Sequence, residues 1–294
     1  MRAVLLSVTV LLGSLAPGLS RSEQQQPARA VALGHHPIKV LLVGDSIALT
    51  LGIGLDVGAQ SGYGVTISNH STLGCDLDPQ LEIFTSGKPG PATPGCRQWR
   101  ALWPFLTAAV DPEVVALGVG RWEVSNHFYQ GQWVHVGQKV WDDHVAADLR
   151  AAIAIFHEFG AKVVLFTMPY VDPPNRQPDG QPWVENTPGR ARQFNQIVRR
   201  VARADPGVVT VVNLNKMLSP HGVYAPSIGG VTVRWSDGIH VTSAGGELLQ
   251  PQILPVLARL GLAAEASRQA AAARAKGKAK AKAKAKAKAK AKAN

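Results

Sequence analysis

From residue 38 onward, apolar positions fall alternately in short unbroken runs and in longer stretches at helical spacing. Residues 38–43 (interrupted only by Lys39), 65–68, 114–119, 162–168 and 208–213 read as buried strands. Between them lie helical patterns. The clearest is 146–159, where Leu149, Ile153, Ile155 and Phe156, preceded by Val145, recur near helical spacing and Gly160 supplies a stop. Residues 190–204 repeat that pattern. Residues 98–109 carry Pro104 and 247–260 carry Pro251 and Pro255, so these two helices are expected to be kinked or short. Alternating strands and helices over this length predict a parallel sheet covered by helices on both faces. In such a sheet, reactive groups sit beyond the carboxyl ends of the strands.

The flanks follow a different pattern. Met1 and Arg2 precede a largely apolar stretch, Ala3 to Ala16, ended by Pro17 and Gly18, as in a secretory signal peptide. The expected division is signal peptide 1–20 (to about 30 at most), spacer 21–37, catalytic-type domain 38–262 and a low-complexity Lys/Ala tail 263–294, with both terminal extensions disordered. The location implied is secreted or cell envelope. There the only two cysteines, Cys75 and Cys96, are expected to close a disulfide.

The charge also belongs to the flank. The chain of 294 residues has a formal net charge of +11, which suggests a nucleic-acid binder until it is located. Arg268, Arg274 and nine lysines at even positions from Lys276 to Lys292 face a single acid, Glu265, so the remainder of the chain is close to neutral. In a helix these lysines surround the axis and place like charges four residues apart, so the tail is expected to be disordered in water. It is either a solvated end or a contact for an anionic envelope polymer or membrane surface; nucleic acid ranks lower because export removes the usual encounter.

Two motifs carry chemistry. The first strand ends in Gly44-Asp45-Ser46, and a helix over 47–58 would follow, with Ser46 either an ordinary N-cap or a nucleophile at the sheet edge. Near the far end, Asp237-Gly238-Ile239-His240 precedes the last helix. A histidine that takes a serine proton needs a carboxylate to fix its tautomer, and a D-x-x-H turn supplies both groups. There is no G-x-S-x-G, no G-x-G-x-x-G after the first strand and no H-E-x-x-H, so no cofactor and no hydrolytic metal is implied.

With these motifs the chain resembles the SGNH (GDSL-type) hydrolase superfamily over residues 38–261. Gly44-Asp45-Ser46 is similar to its first block, Gly74 to the glycine of the second, and Asp237 to His240 to the fifth. The resemblance implies an α/β, three-layer α/β/α flavodoxin-like fold with a five-stranded parallel sheet. It also implies Ser46 as nucleophile, His240 as base, Asp237 as its orienter, and the amides of Ser46 and Gly74 as oxyanion donors. The third block departs, because Gly120 stands where the family carries an asparagine donor. The Gly120 amide is then a candidate donor. Arg121 either faces the oxyanion or an anionic substrate, or pairs with a carboxylate such as Glu123. Trp122 is core or pocket wall. The run Gly118-Val119-Gly120-Arg121-Trp122-Glu123 is similar to SGNH domains that accompany bacterial membrane acyltransferases of envelope glycans. His127, Tyr129, Trp133 and His135 either border a polar substrate or pack within a loop. The function implied is an exported serine esterase or O-acyltransferase on an acylated carbohydrate or other ester. The alternative is an inactive SGNH-fold module that binds anionic glycans or polymers.

Overall fold

Five runs of branched apolar residues pair in the computed structural model, which describes residues 36–293, with side-chain surroundings through Lys282. The expected signal peptide and nearly all of the spacer lie outside the described residues. Strands β1 (Ile38–Gly44) and β2 (Val65–Asn69) are followed by the short strands β3 (Glu82–Thr85) and β4 (Lys88–Pro91), and then by β5 (Val114–Gly118). After β6 (Asn126–Tyr129) and β7 (Gln132–Val134) come β8 (Lys162–Phe166) and β9 (Val209–Val212), and last the two-residue strands β10 (Ser227–Ile228) and β11 (Val231–Thr232). The helices are α1 (Ser46–Asp56), α2 (Ala59–Tyr63), α3 (Trp99–Val110), α4 (Lys139–Glu158), α5 (Pro188–Ala204), α6 (Leu214–Leu218) and α7 (Ser243–Ala293).

The main sheet has the order β2-β1-β5-β8-β9 and is parallel throughout. The chain leaves β1 for β2 on one side and returns to β5 on the other. The carboxyl end of β1 is therefore the point where the order reverses, the usual position of a site in an open α/β sheet. Register fixes what gathers there. Gly44 is opposite Gly118, which brings Ser46 and Gly120 to the same edge. On the other flank Thr72 N donates to Gly44 O at 2.8 Å, which draws the segment leading to Gly74 against β1.

A second, antiparallel sheet of order β4-β3-β6-β7 lies within segments read as loops. Its strands are only three or four residues long and none holds more than two apolar residues in a row, so no apolar run marks them. Cys75 and Cys96 are joined as expected, with Cα atoms 4.6 Å apart, and the bridge closes the loop that carries β3 and β4.

The prolines end neither helix: Pro104 lies inside α3, and Pro251 and Pro255 inside α7. In α7 the buried Leu249, Ile253, Leu254, Leu257 and Ala258 hold the segment in place, so tertiary packing outweighs local propensity. Close approach to α1 is possible because both sides are glycine: a Cβ on Gly246 would stand 2.7 Å from the Cα of Gly54.

Two expectations about the tail change. Residues 263–293 continue α7 as helix where disordered chain was expected. Alanine and lysine are both strong helix formers, and the packed half of α7 supplies the costly nucleus, so extension succeeds against the lysine repulsion. The packed part also runs past residue 262. Arg268 Nη2 donates to Phe159 O at 3.0 Å and Pro112 O at 2.6 Å, and its Nη1 lies 3.2 Å from Asp111 Oδ1. Among the described residues no helix is long and apolar enough to cross a membrane.

Candidate active site

The turn out of β1 is built by Asp45 rather than by Ser46. Asp45 is the N-cap of α1, its Oδ1 accepting from Ile47 N at 2.8 Å and Ala48 N at 3.3 Å. Ser46 becomes the first helical residue, and its hydroxyl is free of capping duty. The second oxygen of Asp45 accepts from Arg121 N at 3.2 Å, tying the loop after β5 to the start of α1. Burial pushes the Asp45 carboxyl up to about 6, against the three amide bonds that favour its anion.

Gly120 has φ +137°, a region L side chains rarely adopt, and a Cβ there would stand 2.7 Å from Phe194 Cε1. An asparagine side chain has no room in this backbone, which leaves main-chain donors for the oxyanion. The amides of Ser46, Gly74 and Gly120 each donate to no acceptor among the described residues. Gly74 sits in a left-handed turn, φ +67°, one residue before the disulfide. Unpaired amides at a helix start and in two flanking turns at the carboxyl edge of a sheet suit a developing negative charge.

The acid-base pair comes from a closed loop. Arg234 and Val241 form an antiparallel bridge, and Trp235 N donates to His240 O at 2.9 Å across the loop mouth. Inside it, Asp237 Oδ2 lies 2.5 Å from His240 Nδ1, while Asp237 Oδ1 accepts from Ile239 N at 2.8 Å and His240 N at 3.1 Å. Partial burial raises the Asp237 carboxyl, but the His240 ring and the two amides outweigh it and hold it below its ordinary range. Nδ1 therefore keeps its proton toward Asp237, and Nε2 is left as the basic atom. Nε2 is buried and has no hydrogen-bond partner. Trp235 lies beside the imidazole, with ring centroids 5.4 Å apart.

The loop docks one turn beyond the serine: Val241 N donates to Thr50 Oγ1 at 3.2 Å, and Thr50 Oγ1 donates to Ser46 O at 3.0 Å. Ser46 Oγ and His240 Nε2 are not themselves hydrogen-bonded, a geometry common in serine sites without substrate. The structure thus pairs Asp237 with His240 directly, and Ser46, Gly74 and Gly120 share the adjoining edge.

Three side chains whose roles the sequence left open are placed by the structure. Arg121 is buried without a salt bridge; burial lowers its affinity for the proton, and the charges facing it are Glu185 and Asp45 rather than Glu123. Its Nη1 has no acceptor, and its guanidinium lies 5.5 Å from the Trp122 ring centre. Glu123 instead accepts from Leu77 N at 3.2 Å, and burial, reinforced by Asp76, raises its carboxyl well above the usual range. His127 is fully buried and lies 3.2 Å from Asp76 Oδ2, so it borders no substrate.

Sequence reasoning missed Arg234. Its buried guanidinium donates to Ile239 O at 2.9 Å and Tyr170 O at 3.0 Å and so holds the backbone beside His240. Burial draws its pKa down to about 10. The available signal was one arginine in the otherwise apolar, β-branched stretch Val231-Thr232-Val233-Arg234-Trp235.

Comparison with known proteins places this geometry. A family model described as SGNH domain (fused to AT3 domains) matches residues 19–255. Among solved structures, LAE5, an alpha/beta hydrolase enzyme from the metagenome of Lake Arreo, Spain, shares 16% identity, covering 76% of this chain and 97% of its own, with a TM-score of 0.50. A putative acylhydrolase from Bacteroides fragilis shares 14%, covering 83% and 97%, also at 0.50. Axe2, an acetylxylan esterase from Geobacillus stearothermophilus, here as its catalytic mutant, shares 18%, covering 76% and 94%, at 0.47. The two likenesses at 0.50 show the fold. Comparison with curated proteins gave no match.

Proposed function

The chain belongs to the SGNH domain family, and from that premise we propose that it is an exported serine esterase or O-acyltransferase acting on acyl esters of a carbohydrate-like cell-envelope substrate. One observation carries the chemistry: Asp237 Oδ2 lies 2.5 Å from His240 Nδ1, and His240 Nε2 is buried without a partner in the loop that docks on Thr50 of α1.

In the reading this supports, Ser46 Oγ attacks the acyl carbon while His240 Nε2 takes its proton. The charge formed on the carbonyl oxygen meets the amides of Ser46, Gly74 and Gly120, and Asp237 stabilises the imidazolium. Collapse expels the alcohol oxygen, which receives the proton from His240, and leaves acyl-Ser46. Water or a sugar hydroxyl then gives its proton to His240 and attacks the same carbon, regenerating the serine. The first acceptor makes an esterase and the second a transferase. The family's description as fused to AT3 domains supports envelope acylation, and the Cys75 to Cys96 bridge supports an oxidising location.

Mass spectrometry after exposure to an activated acetate tests the reading. Acetyl on Ser46, discharged by water or by an added glycan, is expected. Label at another residue, or unchanged ester turnover in Ser46→Ala, would overturn it. The second reading, an inactive binding module for anionic glycans, draws on Gly120 in place of asparagine. Aryl acetate hydrolysis that disappears in His240→Ala rejects it.

A further inference from the structure

Just after the Cys75 bridge in sequence, Asp78 meets two side chains of α4, and three metal-type groups converge. Asp78 follows the disulfide-anchored turn, and His144 and Asp148 lie four residues apart on one face of α4. One donor atom from each falls within 4.8 Å of the others, and among the described residues this is the one such group of three. His144 Nε2 is 2.8 Å from Asp78 Oδ1 and 3.5 Å from Asp148 Oδ2. Four ligands at about 2.0–2.1 Å around a tetrahedral zinc ion stand roughly 3.3 Å apart, close to the His144 Nε2 to Asp148 Oδ2 separation, whereas the shorter contact to Asp78 Oδ1 is a direct hydrogen bond that an entering ion would replace.

A second observation separates this group from an ordinary ion-pair cluster. Asp78 and Asp148 are each only 3% exposed, yet Oδ2 of both has no hydrogen-bond partner. Asp148 Oδ2 is aimed into the group, being the atom 3.5 Å from His144 Nε2, while its Oδ1 is held by Arg100. A buried carboxylate oxygen without a donor carries a large desolvation penalty, which a cation coordinated by Asp148 Oδ2 would remove. The Arg100 contact to Asp148 Oδ1 and the Gln80 contact to Asp78 Oδ1 then act as the outer hydrogen bonds that orient ligating carboxylates. His144 keeps 22% of its side chain exposed, giving the ion an entry path and a position for a fourth, water ligand.

We propose that Asp78, His144 and Asp148 form a structural site for a divalent transition-metal ion of the zinc type. One imidazole and two carboxylates at these separations suit Zn2+, whereas Ca2+ requires six to eight oxygen ligands at longer distances. The ion would clamp the segment just after Gly74 and Cys75 to α4, and it takes no part in ester chemistry.

The test uses the full chain, stripped with chelator and titrated with Zn2+ alone, in a His35→Ala/His36→Ala background that removes a competing imidazole pair. One Zn2+ per chain is expected, with a rise in Tm on binding. Co2+ in its place should show the intense visible absorption of a tetrahedral site. His144→Ala should weaken Zn2+ binding by about 100-fold and Asp148→Asn by about tenfold or more, while Asp143→Asn, one residue before His144 but exposed and paired with Lys139, should leave it unchanged. Far-UV circular dichroism of each metal-free variant checks folding. If His144→Ala fails to fold, Asp148→Asn and the Co2+ spectrum of the unmutated site carry the test. Binding that is absent, not stoichiometric, or retained in His144→Ala at full strength overturns the proposal.

Discussion

Helix α7 has two halves that share a backbone and little else. Its first turns press Gly246 against Gly54 of α1 and begin three residues after His240, so their placement sets where the imidazole stands relative to Ser46. Beyond Arg268 every residue through Lys282 is solvent-exposed. The first half is specified by close packing and prolines that would break an isolated helix; the second is specified by intrinsic propensity alone. The difference teaches that continuity of secondary structure does not imply continuity of role: packing holds the chemistry, and the cations hold none of the fold.

The sharpest way to break this contrast is at the catalytic end. His240→Ala should lower kcat/KM on an aryl acetate by about 10³-fold or more with little change in Tm. A comparable loss on removing the lysines would abolish the distinction between the halves. Next in size, Gly246→Leu drives a side chain into the α1 backbone and should cost about 3 kcal/mol in urea unfolding, lowering activity as the His240 loop shifts. An unchanged urea midpoint would show that this contact does not seat α7.

Titration of Asp45 probes the same edge. Its folded pKa of about 6 lies above the ordinary carboxylate value of 3.8, so the folded chain holds this proton more tightly than the unfolded one. Its contribution should fall as pH rises from about 4 to 6, by on the order of 2–3 kcal/mol. The difference in unfolding free energy between Asp45→Asn and the parent should change across that window and be flat outside it. The smallest effects belong to the tail. A chain ending at residue 263 loses the Arg268 contacts and should be destabilised by about 1–2 kcal/mol, whereas one ending at 270 should unfold within about 0.5 kcal/mol of the parent. Both should hydrolyse a soluble ester at the parental rate.

The strands of the main sheet were legible because they are short, mostly apolar runs, those of β1, β5 and β8 buried on both faces, and the acid-base loop because Asp and His lie three residues apart in one turn. What escaped was determined by distant partners. Asp45 rather than Ser46 caps α1 because Arg121 N, far along the chain, gives its second oxygen a role. A pair between Arg121 and its neighbour Glu123 was one of two readings, but their side chains part, Glu123 toward Leu77 and Arg121 toward Glu185 and Asp45. Strands β3, β4, β6 and β7 have no hydrophobic signature because they form a small peripheral sheet. The His144 to Asp148 spacing was in plain view on a helix, yet its third member, Asp78, arrives from across the domain.

The lysine half has a consequence set by its linear charge density. A lysine every two residues of helix places one charge per about 3 Å of axis. Two unit charges in water interact with an energy of RT at roughly 7 Å, so the rod is more than twice as densely charged as thermal motion can disperse. Such a rod holds a sheath of small anions, and a polyanion that replaces them sets them free. Any attachment through this half would therefore be driven by the entropy of released ions, and the salinity of the surroundings, more than any shape on a partner, would decide whether it held.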